Sequence, residues 1–190
     1  MGLANWLTLL RIMLIPVVVS LLVYRRPGAA LVVFFAAALT DVLDGYVARK
    51  RGMQSRLGAF LDPTADKLLL TACFMTLTYL KAIPFWITAV VITRDVMQVV
   101  GVLLIQMVGA RIEPRPTWAG KMATFFQTLT VLSGLLALAF HWRLSPNPVL
   151  WLAAFFTIVS FLQYIGIGMR FLNAANADER EEAHEPTFFR

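Results

Sequence analysis

Apolar residues run almost unbroken through six stretches of this chain, at about residues 6–24, 29–48, 58–80, 84–109, 118–140 and 148–171. Each is long enough to cross the hydrocarbon core of a bilayer as a helix, which takes roughly 20 residues. Polar punctuation separates them at Arg25-Arg26-Pro27-Gly28, Lys50-Arg51-Gly52, Lys81 to Pro84, Gly109 to Pro116 and Ser145-Pro146-Asn147-Pro148, all turn-forming sequences. Connections this short force successive helices to run antiparallel. The pattern predicts an all-α, polytopic membrane protein: a domain of six transmembrane helices over residues 1–172, then a polar, acidic tail over 173–190. The first stretch lacks the basic run and cleavage site of a signal peptide and is interrupted by Arg11, so it reads as a retained helix.

Composition sharpens this picture. Of the 190 residues, 59% are hydrophobic and 15% charged, and mean hydropathy is +0.72. A soluble globule of this size could not hide so much apolar surface. Cys73 is the single cysteine, so no intramolecular disulfide exists. Basic residues collect on one side of the predicted membrane: Arg49, Lys50, Arg51, Arg56, Arg111, Arg115, Lys121, Arg170, Arg180 and Arg190, against Arg25, Arg26, Lys81 and Arg143 on the other. The positive-inside bias puts both termini and the 49–57 and 110–118 loops in the cytoplasm, and a bacterial inner membrane is the expected location. Trp6, Trp86, Trp118, Trp142 and Trp151 fall near segment ends, where interfacial tryptophans belong. His141 and His184 are read as surface residues, and no nucleic-acid partner is expected.

The scarce acids carry the chemistry. Residues 1–172 hold six, of which Asp41, Asp44, Asp62, Asp66 and Asp95 lie in or beside apolar segments. An ionisable residue at membrane depth is costly and marks function by default. Asp41 and Asp44 are three apart, Asp62 and Asp66 four apart, so each pair occupies one helix face. The basic, glycine-containing turn between them folds the second helix back, so the four converge in a cytoplasm-facing polar cavity. Crowded carboxylates would protonate unless neutralised, and a donor set of oxygen alone suits Mg²⁺ or Mn²⁺. Two ions would balance four charges, a device that serves phosphoryl chemistry by stabilising both attacking and leaving oxygens. Gly45, Ala48 and Gly58 keep the helix surfaces open, and Arg49 can place its guanidinium on a diphosphate.

This stretch resembles the signature of the CDP-alcohol phosphotransferase family, D-x2-D-G-x2-A-R-x8-G-x3-D-x3-D. Asp41, Asp44, Gly45, Ala48, Arg49, Gly58, Asp62 and Asp66 match it in residue and spacing. The opening Asn5-x-x-Thr8-x-x-Arg11 is similar too. The resemblance implies transfer of a phosphatidyl group from CDP-diacylglycerol to an alcohol, with release of CMP. It implies one Mg²⁺ on Asp41, Asp44 and Asp62, and a second on Asp41, Asp62 and Asp66. Asp66 would also be the general base, and Asn5, Thr8, Gly45, Ala48, Arg49 and Gly58 would form the CDP-donor site. Many family members are dimers, and a homodimer is expected here.

The acceptor must come from the second half, where Arg94, Arg111, Arg115 and Lys121 are the candidates. Arg94 and Asp95 are adjacent in one helix, and neighbours at i and i+1 do not face each other, so each is expected to find another partner. Arg94 would bind an acceptor phosphate or pair with an aspartate of the site. Gly120-Lys121-x-x-Thr124 resembles the Gly-Lys-x-Lys-Thr element of the phosphatidylglycerophosphate synthases, with Ala123 in place of the second Lys. That change, and Asp95 where Glu is common, resemble the cardiolipin synthases. Glycerol 3-phosphate is the expected acceptor, phosphatidylglycerol the alternative. A divalent-cation transporter or channel is the reading from another class; it would need a polar track across the membrane, which the sequence lacks beyond Asp95, Gln98 and a few hydroxyls.

Overall fold

The structure is a computed structural model describing the backbone of residues 3–51, 56–107, 117–141 and 148–182, and side chains within 9–40, 64–101, 117–141 and 148–169. Six helices occupy these residues, with no strand among them: α1 Leu3–Val23, α2 Pro27–Arg51, α3 Arg56–Tyr79, α4 Phe85–Met107, α5 Trp118–Phe140 and α6 Pro148–Glu182. Each coincides with one predicted apolar stretch. The helix ends follow the punctuation. Pro27 and Pro148 open α2 and α6, where a fixed φ helps and a missing N–H costs nothing. The Thr117 hydroxyl caps α5 by accepting the Gly120 N–H at 3.1 Å. α1 closes with the Arg25 N–H donating to the Leu22 carbonyl (3.0 Å) and Arg26 N–H to Leu21 (2.8 Å). α3 repeats this with Lys81 to Thr78 and Ala82 to Leu77, both 2.9 Å. This paired closure requires a left-handed residue just past the helix.

α1 packs on α2 and α3, α5 on α2, α3 and α6, and α4 on α3 and α6. Val18, Leu22, Phe34, Phe74, Leu77, Ile87, Val131 and Leu135 belong to the shared core. Gly134 lets α5 approach α3, since a Cβ there would stand 3.1 Å from Leu77 Cδ1. The outside is apolar instead of the inside being uniformly so: Val32 is 68% exposed and Phe35 59%, while Arg11, Arg94, Gln127, Thr157 and Ser160 are buried. Lipid, unlike water, favours this arrangement, because polar groups gain by turning toward one another. α5 and residues Pro148–Met169 are long and apolar enough to cross a bilayer, and Leu9–Val23 and Pro27–Thr40 are shorter apolar helical runs. The chain is an integral membrane protein.

Trp86, Trp118 and Trp151 sit exposed in the first turns of α4, α5 and α6. The Trp86 and Trp151 rings lie 5.3 Å apart, so α4 and α6 start at the same end. Trp142 and His184 lie outside the described residues, as does the Trp6 side chain. α6 runs past the predicted end at 171 and through Glu182.

Candidate active site

The aspartates are placed by the backbone of two helices. Asp41 and Asp44 stand ten and seven residues before the end of α2, and Asp62 and Asp66 six and ten residues after the start of α3. At 1.5 Å per residue, Asp44 and Asp62 lie roughly 10 Å from the connecting turn, and Asp41 and Asp66 roughly 15 Å. The four therefore occupy two matched depths at one end of the bundle. α1 and α5 each pack on both helices. Asn5 and Thr8 lie in the first turns of α1, at that same end, and Arg11 follows at only 2% exposed. The side chains of Asn5, Thr8, Asp41, Asp44, Gly45, Ala48, Arg49, Gly58 and Asp62 lie outside the described residues. Asp66 is partly buried beside a fully buried Ala65. Carboxylates alone, four of them, fit a hard divalent cation by their donor chemistry.

Next to Asp66 the structure joins side chains from three helices. Lys67 of α3 donates to Gln98 Oε1 of α4 at 2.6 Å and pairs with Asp95 at 3.6 Å. The Gln98 amide in turn donates to the Tyr164 hydroxyl of α6 at 2.7 Å. Arg94, 3% exposed, donates through Nη1 to Asp95 Oδ1 at 2.7 Å and through Nη2 to Ser160 Oγ at 3.2 Å. Its guanidinium lies 5.9 Å from the Tyr164 ring centroid, within cation–π range. Each residue does find another partner, Ser160 for Arg94 and Lys67 for Asp95, but the expectation that the two do not meet is corrected. Their Cβ atoms do diverge, but the arginine stem is long enough to bring its head back to its neighbour's carboxylate. A buried guanidinium without a counter-ion would cost several kcal/mol, and that favours the detour.

Gly120 makes room for this arrangement. A Cβ there would lie 3.1 Å from Thr117 Oγ1, 3.3 Å from Arg94 Nη2 and 3.5 Å from Ser160 Oγ. The helix start, the cap and the arginine therefore share one tight spot. In front of it opens a cavity of about 620 Å³. Lys67, Arg94, Gln98, Lys121, Thr124 and Tyr164 form its polar wall, and Phe125, Leu129 and Leu132 the apolar one. Of the predicted acceptor residues, Arg94 and Lys121 come together here, while Arg111 and Arg115 lie outside the described residues. Ala123 is fully buried and is not part of the lining.

Five participants, Lys67, Asp95, Gln98, Ser160 and Tyr164, were not among the predicted site residues, although Asp95 and Gln98 stand out as polar positions in an apolar stretch. Lys67 directly follows Asp66, and a lysine beside an aspartate reads as its ion-pair partner. Ser160 and Tyr164 carry a fainter signal. With Thr157 they form a polar row at spacings of three and four along the largely apolar part of α6, Pro148–Met169, which is one helix face. Thr157 uses it to accept from Gln127 Nε2 of α5 at 3.0 Å.

Comparison with known proteins identifies what this chain is similar to. The family model described as CDP-alcohol phosphatidyltransferase matches residues 1–162. The chain is 34% identical over 176 residues to a probable phosphatidylglycerophosphate synthase of Mycobacterium tuberculosis, covering 89% of this chain and 82% of that protein. It is also 34% identical over 196 residues to the CDP-diacylglycerol–glycerol-3-phosphate 3-phosphatidyltransferase of Bacillus subtilis, covering 92% and 99%. A CMP-forming cardiolipin synthase of Homo sapiens is 34% identical over 184 residues, covering 87% of this chain and 61% of that one.

Proposed function

The chain belongs to the CDP-alcohol phosphatidyltransferase family, and on that premise we propose that it transfers the phosphatidyl group of CDP-diacylglycerol to glycerol 3-phosphate, releasing CMP. The observation that carries the acceptor is the cavity beside Asp66, where Lys67, Arg94 and Lys121 present three cations to one space. A phosphomonoester dianion is the acceptor chemistry such a wall suits. Ala123 stands where related synthases carry a second Lys, but its buried side chain is not part of that wall. The missing charge therefore does not thin the described cation set. Phosphatidylglycerol is the second reading, favoured by the apolar wall of Phe125, Leu129 and Leu132, which would accept the chains of a lipid acceptor.

The acceptor's hydroxyl is a weak nucleophile at neutral pH, so a positioned carboxylate must take its proton as attack proceeds. Asp66 has that role. The acceptor oxygen bonds to the phosphorus that carries diacylglycerol, the bond from that phosphorus to the CMP oxygen breaks, and the proton goes to Asp66. Asp41, Asp44, Asp62 and Asp66 would hold two Mg²⁺ ions, which supply positive charge against the phosphate oxygens. Arg49 pairs with the donor diphosphate, and Asn5, Thr8, Gly45, Ala48 and Gly58 shape the cytidine pocket. Arg94 and Lys121, with Arg111 and Arg115 from the adjoining loop, bind the acceptor phosphate. Six spans over residues 1–172 keep the donor's acyl chains in the bilayer while its head group bends to a cytoplasmic site. Residues 173–190 form the polar end of the chain, continuous with α6 as far as Glu182, and the enzyme works as a homodimer in a bacterial inner membrane with both termini cytoplasmic.

The deciding experiment incubates purified protein with Mg²⁺, CDP-diacylglycerol and one acceptor at a time. CMP release is expected with glycerol 3-phosphate. Release with phosphatidylglycerol alone would move the protein to the second reading. Metal uptake into proteoliposomes without any CMP would point to a transporter instead.

A further inference from the structure

The opposite end of the bundle has its own cationic feature. Arg25, Lys81 and His141 hold positive φ, at 54°, 57° and 55°, the only non-glycine residues to do so among those described. They close α1, α3 and α5, three helices that run the same way, so they lie at one end, away from the aspartates. A cavity of about 480 Å³ opens between these helix ends. Arg25, Lys81 and His141 all line it, together with Leu22, Tyr79 and Leu138.

Helix dipoles do not account for this placement. A basic residue anywhere in a last turn would complement the dipole, whereas the left-handed position itself is where glycine sits without steric cost. Here a side chain able to carry positive charge occupies that position three times, and all three border one space. No carboxylate is among the described residues that line the cavity, so its counter-ion must come from outside this lining. The rest of the wall is Pro27, three leucines and an exposed tyrosine, a combination suited to the boundary between acyl chains and head groups. An arginine fork matches phosphate oxygens directly. We propose that this cavity binds an anionic phospholipid, its phosphate held by Arg25 and Lys81 with His141 at the rim and an acyl chain against the half-buried Leu80 and Leu138. This site is separate from the transfer chemistry.

Arg25→Gly with Lys81→Gly gives a direct test, because glycine removes both charges while suiting the left-handed backbone. The full-length chain in mild detergent is titrated with dioleoylphosphatidylserine, which is neither donor nor acceptor in the proposed reaction. Dioleoylphosphatidylcholine and inorganic phosphate serve as comparisons, with bound lipid read by native mass spectrometry and thermal midpoint in parallel. The unmodified protein is expected to prefer phosphatidylserine over phosphatidylcholine at least tenfold. The double variant loses that preference while its midpoint without lipid stays equal or rises. Lys121→Gln, which removes a charge from the other cavity, keeps it. A preference surviving in the double variant would overturn the proposal. So would its loss in Lys121→Gln, which would put the lipid in the catalytic cavity, or equal protection by inorganic phosphate.

Discussion

Arg94 illustrates how much a single buried charge demands. Its Nε has no hydrogen-bond acceptor among the described residues, so Asp95 and Ser160 carry most of its compensation. Asp95→Leu should therefore destabilise the protein by about 3–5 kcal/mol, the usual result of orphaning a buried ion, seen as a lower thermal midpoint in detergent. Gly120→Ala should act on the same group from the other side. Its methyl would press on Arg94 Nη2 and Thr117 Oγ1, so kcat/KM for glycerol 3-phosphate should fall roughly tenfold, about 1.4 kcal/mol, while the KM for CDP-diacylglycerol holds. Asp66→Asn should abolish turnover yet leave CDP-diacylglycerol binding intact; retained turnover would remove Asp66 from the base role. At this scale the sequence was legible where residue type and local spacing carry the signal, as for the aspartates. It was not for Arg94 and Asp95, because a rule about where Cβ atoms point does not constrain the head of a five-bond side chain.

Helices were the most legible level, since an apolar run of helix-spanning length punctuated by Pro, Gly and charge has few other solutions in lipid. The ends are where local chemistry added something. Thr117 follows Pro116 and precedes an apolar run, a recognisable cap; Thr117→Ala should cost about 1 kcal/mol, measurable as a lower midpoint, with Thr117→Ser restoring most of it. The closures at Arg25 and Lys81 were visible only as turns. Their left-handed backbone conformation was not, because nothing in an Arg or Lys announces it as glycine would. In α6 the row Thr157, Ser160 and Tyr164 could have been found by its spacing, but hydroxyls in apolar helices bond their own backbone just as readily, as Thr157 also does to the Ala153 carbonyl.

Over the whole molecule, Arg94, Gln127 and Ser160 among the described residues are buried beside the apolar core while many large apolar side chains face outward, which suits lipid as solvent, and the cations of three helices meet at one wall. If the four aspartates hold divalent ions, EDTA should abolish CMP release and excess Mg²⁺ should restore it. Activity that persists after exhaustive chelation would show that the reaction proceeds without bound metal. The sequence by itself determined the number of helices, the lipid solvent and the end of the bundle that carries the four carboxylates. Those follow from hydropathy and from spacings within one or two turns, where helix geometry leaves little freedom. Only the tertiary structure decided that Lys67 meets Gln98, that Gln98 meets Tyr164 and that Arg94 meets Ser160. These partners lie 31 and 66 residues apart, and their meeting depends on how each helix is rotated and shifted against its neighbours. Close packing over all six helices sets that rotation, and no local pattern records it.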